Sequence, residues 1–218
     1  MTTTVAARGL VQVFGAHLAL GPIDLRLEAG ERLAVLGDNG AGKTTLLRII
    51  ATAARPAAGR LELFGLDAST RRERVRHRLG YLGHQPGLYP ALTARENLEF
   101  FATLHQVEGD RVAEALAETG LEAVAGRQVE KLSRGQQQRL ALARTVLHHP
   151  DLLILDEPDA SLDAAGRGLL GSLMEGRTVV MATHDRAVAR ELCGRGLLLT
   201  AGRDAGDPWK LQVLESSR

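Results

Sequence analysis

The sequence has very little cysteine: Cys193 is the only one among 218 residues. An intrachain disulfide is therefore excluded, and nothing in the composition points to an oxidising compartment. No window approaches the ~20 consecutive apolar residues that cross a bilayer, and the N-terminus lacks the charged-then-apolar order of a secretion signal. We therefore expect any work at a membrane to depend on membrane segments in another chain.

The sequence also lacks an excess of either charge, because 27 Lys and Arg stand against 26 Asp and Glu. A net charge of +1 gives no basis for a strongly basic nucleic-acid-binding domain, and we expect no nucleic-acid partner. One dense basic run extends from Arg71 to Arg78. Such a run is typical of a solvated helix face, and it alternatively fits lipid headgroups or an acidic partner loop.

Glycine is abundant in one informative stretch, which satisfies the pattern G-x-x-x-x-G-K-[ST]. An apolar strand from Arg32 to Leu36 precedes it, and a helix from Thr45 to Ile50 follows. Glycines let backbone N–H groups wrap closely around a polyphosphate without Cβ clashes. The alternative is a glycine-rich turn without a ligand. The residues predicted to hold the nucleotide are Gly37, Asp38, Asn39, Gly40, Ala41, Gly42, Lys43, Thr44 and Thr45.

Two residues of this loop have distinct predicted roles. Lys43 reaches the β- and γ-phosphates as a point charge, and Thr44 places its hydroxyl on Mg²⁺. The helix that follows points its positive dipole end at the anion. A polyphosphate with Mg²⁺ is therefore the expected ligand.

The apolar run from Leu152 to Leu155 ends in two adjacent carboxylates. Neighbouring side chains on a strand point in different directions, so the two can divide their work. Asp156 is predicted to support Mg²⁺, directly or through water, while Glu157 acts on the attacking water as general base. The alternative is a solvated acidic loop at a strand end.

His184 follows a second apolar strand, Thr178 to Ala182. A neutral imidazole at the carboxyl end of a strand can hydrogen-bond a γ-phosphate oxygen and align water with Glu157. A lone histidine is more often structural, but the Thr-His-Asp position favours a catalytic role. The other six histidines have no such context.

The coarse pattern predicts an α/β fold. Extended stretches at 10–13 and 23–27, separated by a turn-rich region at 15–22, predict an antiparallel flap. Near-continuous apolarity at 152–155 and 178–182 predicts central parallel strands covered on both faces. Further strands are predicted at 60–65 and 80–83, and helices at 93–105, 111–119 and 135–148.

The segment Leu132-Ser133-Arg134-Gly135-Gln136 before a helical run resembles the signature of ATP-binding-cassette (ABC) ATPases. Ser133, Gly135 and Gln136 stand at a helix N-terminus, which suits a second anion site. In that family this site closes over ATP held by another subunit, so the resemblance implies a head-to-tail homodimer, or a pair with a second ABC ATPase, around two ATP molecules. Arg134 departs from the common glycine.

The resemblance covers residues 8 to 200 and implies further roles. Gln85 matches the glutamine loop, which senses Mg²⁺ or the attacking water near the docking site of the transporter partner. The loop Ser161-Leu162-Asp163 matches the segment that communicates across the dimer, where many members have alanine in the first position. Phe14 stands where the family stacks a ring on adenine, although core packing is the alternative for one of only seven aromatic residues.

The resemblance also implies a domain organisation. Residues 1–218 form one P-loop NTPase domain with a mixed central sheet and helices on both faces. It comprises a β flap at about 1–30, a RecA-like core at about 30–85 and 150–205, and a helical signature subdomain at about 86–149. Integral membrane permease subunits are expected to dock near 85–100, which places the chain at the cytoplasmic face of the cell membrane.

The branch of the family is indicated by Gly83-His84-Gln85-Pro86-Gly87, which is similar to the haem-exporter ATPases of cytochrome c maturation. Pro158-Asp159-Ala160 differs from the usual continuation in that branch, so another exporter ATPase is the alternative. A soluble ABC ATPase acting on nucleic acid is less favoured, because such proteins carry two cassettes or an inserted coiled coil. A nucleotide kinase would leave Asp156, Glu157 and Ser133 without a role.

Overall fold

The structure is a computed structural model, and it describes residues 2–209. The strands are β1 (Thr3–Phe14), β2 (His17–Glu28), β3 (Arg32–Leu36), β4 (Ala58–Leu63), β5 (Leu66–Asp67), β6 (Leu79–Leu82), β7 (Leu152–Asp156), β8 (Thr178–Ala182), β9 (Arg195–Thr200) and β10 (Arg203–Asp204). The helices are α1 (Lys43–Ile50), α2 (Arg72–Arg76), α3 (Ala94–His105), α4 (Arg111–Glu118), α5 (Arg134–Val146), α6 (Ala164–Leu173) and α7 (Arg186–Leu192). Two 3₁₀ turns, Glu122–Val124 and Val129–Lys131, lie between α4 and α5.

A four-stranded antiparallel sheet has the order β2-β1-β4-β5. The prediction of a turn-rich region at 15–22 was correct only for Gly15 and Ala16, because β2 begins at His17 and continues through the rest. Gly21 explains the difference: a Cβ there would lie 2.6 Å from the carbonyl oxygen of Leu10, so this glycine permits a close strand approach. A glycine that resembles a turn signal thus serves strand pairing.

The second sheet has six strands in the order β10-β9-β3-β8-β7-β6, parallel except for β10. Alternate side chains along its strands enter two different cores. Leu33 and Ile154 pack with α1 and the antiparallel sheet, whereas Ala34 and Leu155 pack with α5, α6 and α7. Both faces of the central strands are therefore buried, which explains their near-continuous apolarity.

Helices α3, α4 and α5 share a third apolar core that includes Leu98, Leu116 and Leu140. Helix α3 starts where the sequence predicts, because Thr93 and Glu96 form a reciprocal capping box. No helix within residues 2–209 has the length and apolar character needed to cross a membrane. The proposed subdomain boundaries remain a prediction, although this separate core lies within the predicted helical segment.

The topology brings three loops to one edge of the parallel sheet. The loop at 37–42 follows β3, Glu157 follows β7, and Thr183 and His184 follow β8. These strands are neighbours in the order β3-β8-β7. Ligands of open parallel sheets bind at the carboxyl ends of the strands, so this edge is the first place to examine for a site.

Candidate nucleotide-binding and hydrolysis site

The loop between β3 and α1 has a conformation that only glycine adopts readily. Gly37, Gly40 and Gly42 have φ angles of 146°, 82° and 101°. A Cβ on Gly37 would lie 2.4 Å from the carbonyl oxygen of Leu199, and one on Gly42 would lie 2.6 Å from that of Ala19. The pattern of glycines therefore follows from backbone conformation and from close packing against β2 and β9.

Lys43 lies inside the curve of this loop. Its side chain is buried, and its Nζ donates hydrogen bonds to the carbonyl oxygens of Gly37 (2.7 Å) and Asp38 (3.1 Å). Lys43 is also the first residue of α1, so its charge and the positive end of the helix dipole stand at the same place. Both favour a phosphate group within the loop.

Asp156, at the end of β7, is 3% exposed. Burial raises the pKa of its carboxyl group, while a hydrogen bond from the Thr44 side chain and the positive charges of His84 and Lys43 act in the opposite direction. Its Oδ2 atom is buried and has no hydrogen-bond partner in the described part of the chain. A buried carboxylate oxygen with a free lone pair beside a threonine hydroxyl suits a hard divalent cation.

This donor set fits Mg²⁺ that is held partly by phosphate oxygens. Among residues 2–209, no group of three or more His, Cys, Asp or Glu side chains could hold a metal ion. Mg²⁺ commonly takes only one or two protein ligands and completes its shell with water and nucleotide phosphates. Asp156 and Thr44 match that arrangement and do not match an all-protein metal cage.

Glu157 and His184 face each other across the same edge of the sheet. Glu157 has a φ angle of 52°, and its N–H donates to the carbonyl oxygen of Ala182 (2.8 Å). Its Oε1 lies 3.8 Å from Nδ1 of His184. A non-glycine residue in this conformation carries backbone strain, which is common where a side chain must be presented precisely.

A cavity of about 550 Å³ joins these groups. Its lining includes Gly37, Asp38 and Asn39 of the loop together with Glu157 and His184. The structure therefore brings the first part of the predicted phosphate loop, the predicted general base and the predicted histidine to one opening, whereas Lys43, Thr44 and Asp156 are not part of its lining. Their roles in catalysis remain predictions.

The signature residues stand elsewhere. Ser133 is the exposed N-cap of α5: its hydroxyl accepts from the N–H of Gln136 (3.2 Å), and the Gln136 side chain accepts from the N–H of Ser133 (3.0 Å). Gly135 is in the first turn of the same helix. None of the three residues lines the cavity beside Glu157.

Gln85 and Phe14 are exposed and also lie outside the lining of that cavity. Gln85 is in the segment between β6 and α3, and Phe14 is the last residue of β1, paired with His17. Phe14 is 59% exposed, so it is not a core residue. An exposed ring at the end of the β1–β2 hairpin is available for stacking, which stays a prediction.

Two hydrogen bonds and one electrostatic interaction were not predicted from the sequence. Thr183 donates to Asp159 (3.0 Å), Gln138 donates to the carbonyl oxygen of Pro158 (3.0 Å), and His84 is close enough to Asp156 to affect its pKa. The first two join positions about twenty residues apart. One signal in the sequence indicated the interaction of His84 with Asp156, namely that His84 is adjacent to Gln85.

An exposed aromatic cluster is formed by α3 and the segment that precedes it. Tyr89, Phe100 and Phe101 form edge and tilted ring contacts at centroid distances of 5.0 to 6.1 Å, and the exposed Leu104 follows Phe100 and Phe101 one turn later on α3. Tyr89, Phe100 and Leu104 are 47%, 44% and 62% exposed. Exposed apolar side chains gathered in one place indicate an interaction surface.

Comparison with known proteins gives a consistent result. Residues 20–160 match the ABC transporter family. The chain is 32% identical to the Nod factor export ATP-binding protein I of Cupriavidus metallidurans, over 99% of this chain and 74% of that protein. It is 40% identical to the cytochrome c biogenesis ATP-binding export protein CcmA of Salmonella typhi, over 83% of this chain and 89% of that protein.

Among solved structures, the chain resembles the dimeric post-hydrolysis state of the ATP-binding cassette MJ0796 bound to ADP and Pi. The TM-score is 0.85 at 30% identity, over 93% of this chain and 97% of that chain. This likeness extends well beyond the phosphate loop and includes both sheets and the helical core. The chain belongs to the ABC transporter family, in which it is an ATP-binding and ATP-hydrolysing subunit.

Proposed function

We propose that this ATPase subunit drives export, and that the exported substrate is haem for cytochrome c maturation. The observation that carries the proposal is the loop Gly83-His84-Gln85-Pro86-Gly87, together with the 40% identity to a cytochrome c biogenesis export protein. The relative named for Nod factor export supports export more broadly. Export of another substrate is therefore the alternative.

The residues of the phosphate loop and Asp156 would hold ATP and Mg²⁺. Lys43 and the amides of residues 37–45 would bind phosphate oxygens, while Thr44, Asp156 and Gln85 would bind or orient the metal. Mg²⁺, when bound, neutralises charge that develops on the phosphates. The unpartnered Oδ2 of Asp156 and its contact with Thr44 support this assignment.

Glu157 then acts on the attacking water as general base. His184, 3.8 Å from the Glu157 carboxylate, donates to a γ-phosphate oxygen and holds the water in line with that carboxylate. Both residues line the cavity that begins at Gly37. This shared cavity supports the assignment of Glu157 as general base and of His184 as the residue that aligns the water.

Ser133, Gly135 and Gln136 act on the nucleotide of a partner protomer. They lie at an exposed helix N-terminus and do not line the cavity of their own chain. A helix N-terminus is suited to phosphate binding, so closure of two chains head to tail would complete each site. The similarity to a cassette solved as a dimer with ADP and Pi supports a homodimer, or a pair with a second ABC ATPase, around two ATP molecules.

The exposed cluster of Tyr89, Phe100, Phe101 and Leu104 would receive integral membrane permease subunits. It overlaps the predicted docking region at 85–100. Arg144 connects this cluster with the core, because its guanidinium lies 5.0 Å from the Phe101 ring centroid and donates to the carbonyl oxygen of Tyr81 (3.1 Å). Docking there would place the chain at the cytoplasmic face of the cell membrane.

Deletion of the gene in the organism that makes this protein tests the export substrate. We expect loss of haem-stained c-type cytochromes while the apocytochromes are still synthesised. Wild-type protein should restore the stain, and Glu157→Gln should not. Normal c-type cytochromes in the deletion strain would reject haem export and leave another exported substrate.

A further inference from the structure

The loop that follows the general base is held at several points. The N–H of Glu157 donates to Ala182 of β8 (2.8 Å), and Asp159 accepts a hydrogen bond from Thr183 at the end of the same strand (3.0 Å). These two contacts fix the loop to the central sheet. Glu157 itself is in the left-handed region at φ 52°, a conformation that persists only when its surroundings enforce it.

A third contact comes from a different part of the fold. The side-chain amide of Gln138, on the first half of α5, donates to the carbonyl oxygen of Pro158 (3.0 Å). Gln138 is half-buried and Pro158 is buried, so this bond is partly shielded from water. A shielded amide–carbonyl bond restrains the peptide next to Glu157 more firmly than an exposed bond would.

Helix α5 approaches the same loop a second time. A Cβ on Gly135 would lie 3.3 Å from the carbonyl oxygen of Ser161, so the first turn of α5 is against the backbone of that loop. Gly135 and Gln138 are three residues apart and therefore lie on one face of the helix. Gln138 is only about 7.5 Å along the helix axis from Ser133, at ~1.5 Å rise per residue.

We propose that Gln138 is a positioning residue for Glu157, and that it links the catalytic loop of each chain to the helix that closes over the partner's nucleotide. The inference rests on the proposed ATP-dependent dimer. The bond to Pro158 holds the peptide that follows Glu157, so the direction of that carboxylate depends on where α5 lies.

Gln138→Met tests the role of the bond, because methionine has a similar length and cannot donate. We expect kcat to fall about tenfold or more, since small displacements of a catalytic group have large effects on rate. The affinity for MgATP should change less than about threefold, because the Gln138 amide bonds the Pro158 carbonyl oxygen and no residue of the phosphate loop. Gln138→Glu keeps the shape and removes the donor, so it should reproduce the loss of kcat.

Gln128→Met is the matched control. Gln128 also donates from its side-chain amide to a backbone carbonyl, that of Ala91 at 3.3 Å, but this bond lies within the helical part of the chain. The Gln128→Met variant should leave kcat unchanged in the isolated protein. A Gln138→Met, Glu157→Gln double variant should still dimerise with MgATP, which shows that folding and nucleotide binding are intact.

The outcomes separate this inference from the proposed function. Absence of ATP turnover and of ATP-dependent dimerisation in the controls would reject the proposed dimer itself. With those controls intact, wild-type kcat in Gln138→Met and Gln138→Glu would overturn the positioning role. An equal loss of kcat in Gln128→Met, or weakened MgATP binding that accounts for the whole effect, would show that the bond only stabilises the fold.

Discussion

The Oε1 atom of Glu157 lies 3.8 Å from Nδ1 of His184, although the two residues come from the ends of different strands. The β7–β8 pairing produces this proximity, because Asp156 is directly opposite Ala182 in the parallel register. The residues that follow each strand therefore emerge side by side. This relationship places a carboxylate and an imidazole together at the opening of the phosphate loop.

Replacement of His184 should slow hydrolysis without loss of ATP binding. In His184→Ala, we expect kcat to fall about 10²-fold, the usual effect of removing one hydrogen-bond donor to a developing charge. His184 is 69% exposed at its side chain, so stability should hardly change. Steady-state ATPase kinetics with a thermal denaturation control would check this, and unchanged kcat would remove His184 from the mechanism.

Gly42→Ala should abolish nucleotide binding. The new Cβ would lie 2.6 Å from the carbonyl oxygen of Ala19 at a φ of 101°, so the loop must distort. Gly176→Ala is the matched control, because it has φ 69° and no atom within 4 Å of the new Cβ. The control should lose only about 1 kcal/mol of stability and bind ATP normally in equilibrium titrations. Normal binding in Gly42→Ala would contradict the loop geometry.

The protein should lose stability as the pH falls from about 6.5 to about 4. Burial, with the nearby charges of His105, His77 and Arg144, lowers the pKa of His148 to about 4. Its ring is stacked on His105 at a centroid distance of 4.0 Å, and its Nε2 is bonded to Leu79 at 2.9 Å. In this interval His148 binds a proton in the unfolded chain and stays neutral in the folded chain, so its contribution to stability decreases with falling pH.

The size of this effect can be measured by urea unfolding at several pH values. The lowered pKa of His148 corresponds to a loss of roughly 2–3 kcal/mol in the free energy of unfolding between the two ends of this pH interval. His148→Gln should reduce the pH dependence, because glutamine can keep a bond to Leu79 without a titrating group. An identical pH dependence in the variant would assign the effect to other residues.

Substitution in the exposed aromatic cluster should uncouple the chain from its permease. Leu104→Ser removes a 62% exposed apolar side chain, so the isolated protein should keep its stability and ATPase rate. Thr103→Ser, on the neighbouring exposed position of α3, is the control. Recovery in the membrane fraction should fall for Leu104→Ser alone. Equal membrane recovery of both variants would place docking elsewhere.

Local patterns in the sequence predicted the elements that depend on local physics. The bounds of β3 and β8 match the structure, and Thr93 caps α3 through the expected reciprocal bonds. Gly21 was misread because its reason for being glycine lies in a neighbouring strand. The bond from Gln138 to Pro158 was missed for a similar reason, since it joins two elements whose proximity only the fold creates.

The site residues also differ in how far the sequence alone could predict them. Residues close in sequence, such as Gly37 to Thr45, form a recognisable motif whose conformation follows from its glycines. The roles of Ser133 and Gln85 have no such local support, because neither residue lines the cavity beside Glu157 within one chain. Their proposed roles depend on a second protomer and a bound nucleotide. Experiments on the dimer are therefore the decisive ones.

The most direct test is the mass of Glu157→Gln by light scattering, with and without MgATP, beside an ATPase assay of the wild type. The variant should bind ATP, lose turnover by ~10²–10⁴-fold as expected for a missing general base, and shift from monomer to dimer with MgATP. Wild-type turnover in the variant would contradict the role of Glu157. Persistence of the monomer despite demonstrable ATP binding would contradict the site completed by Ser133 of a partner.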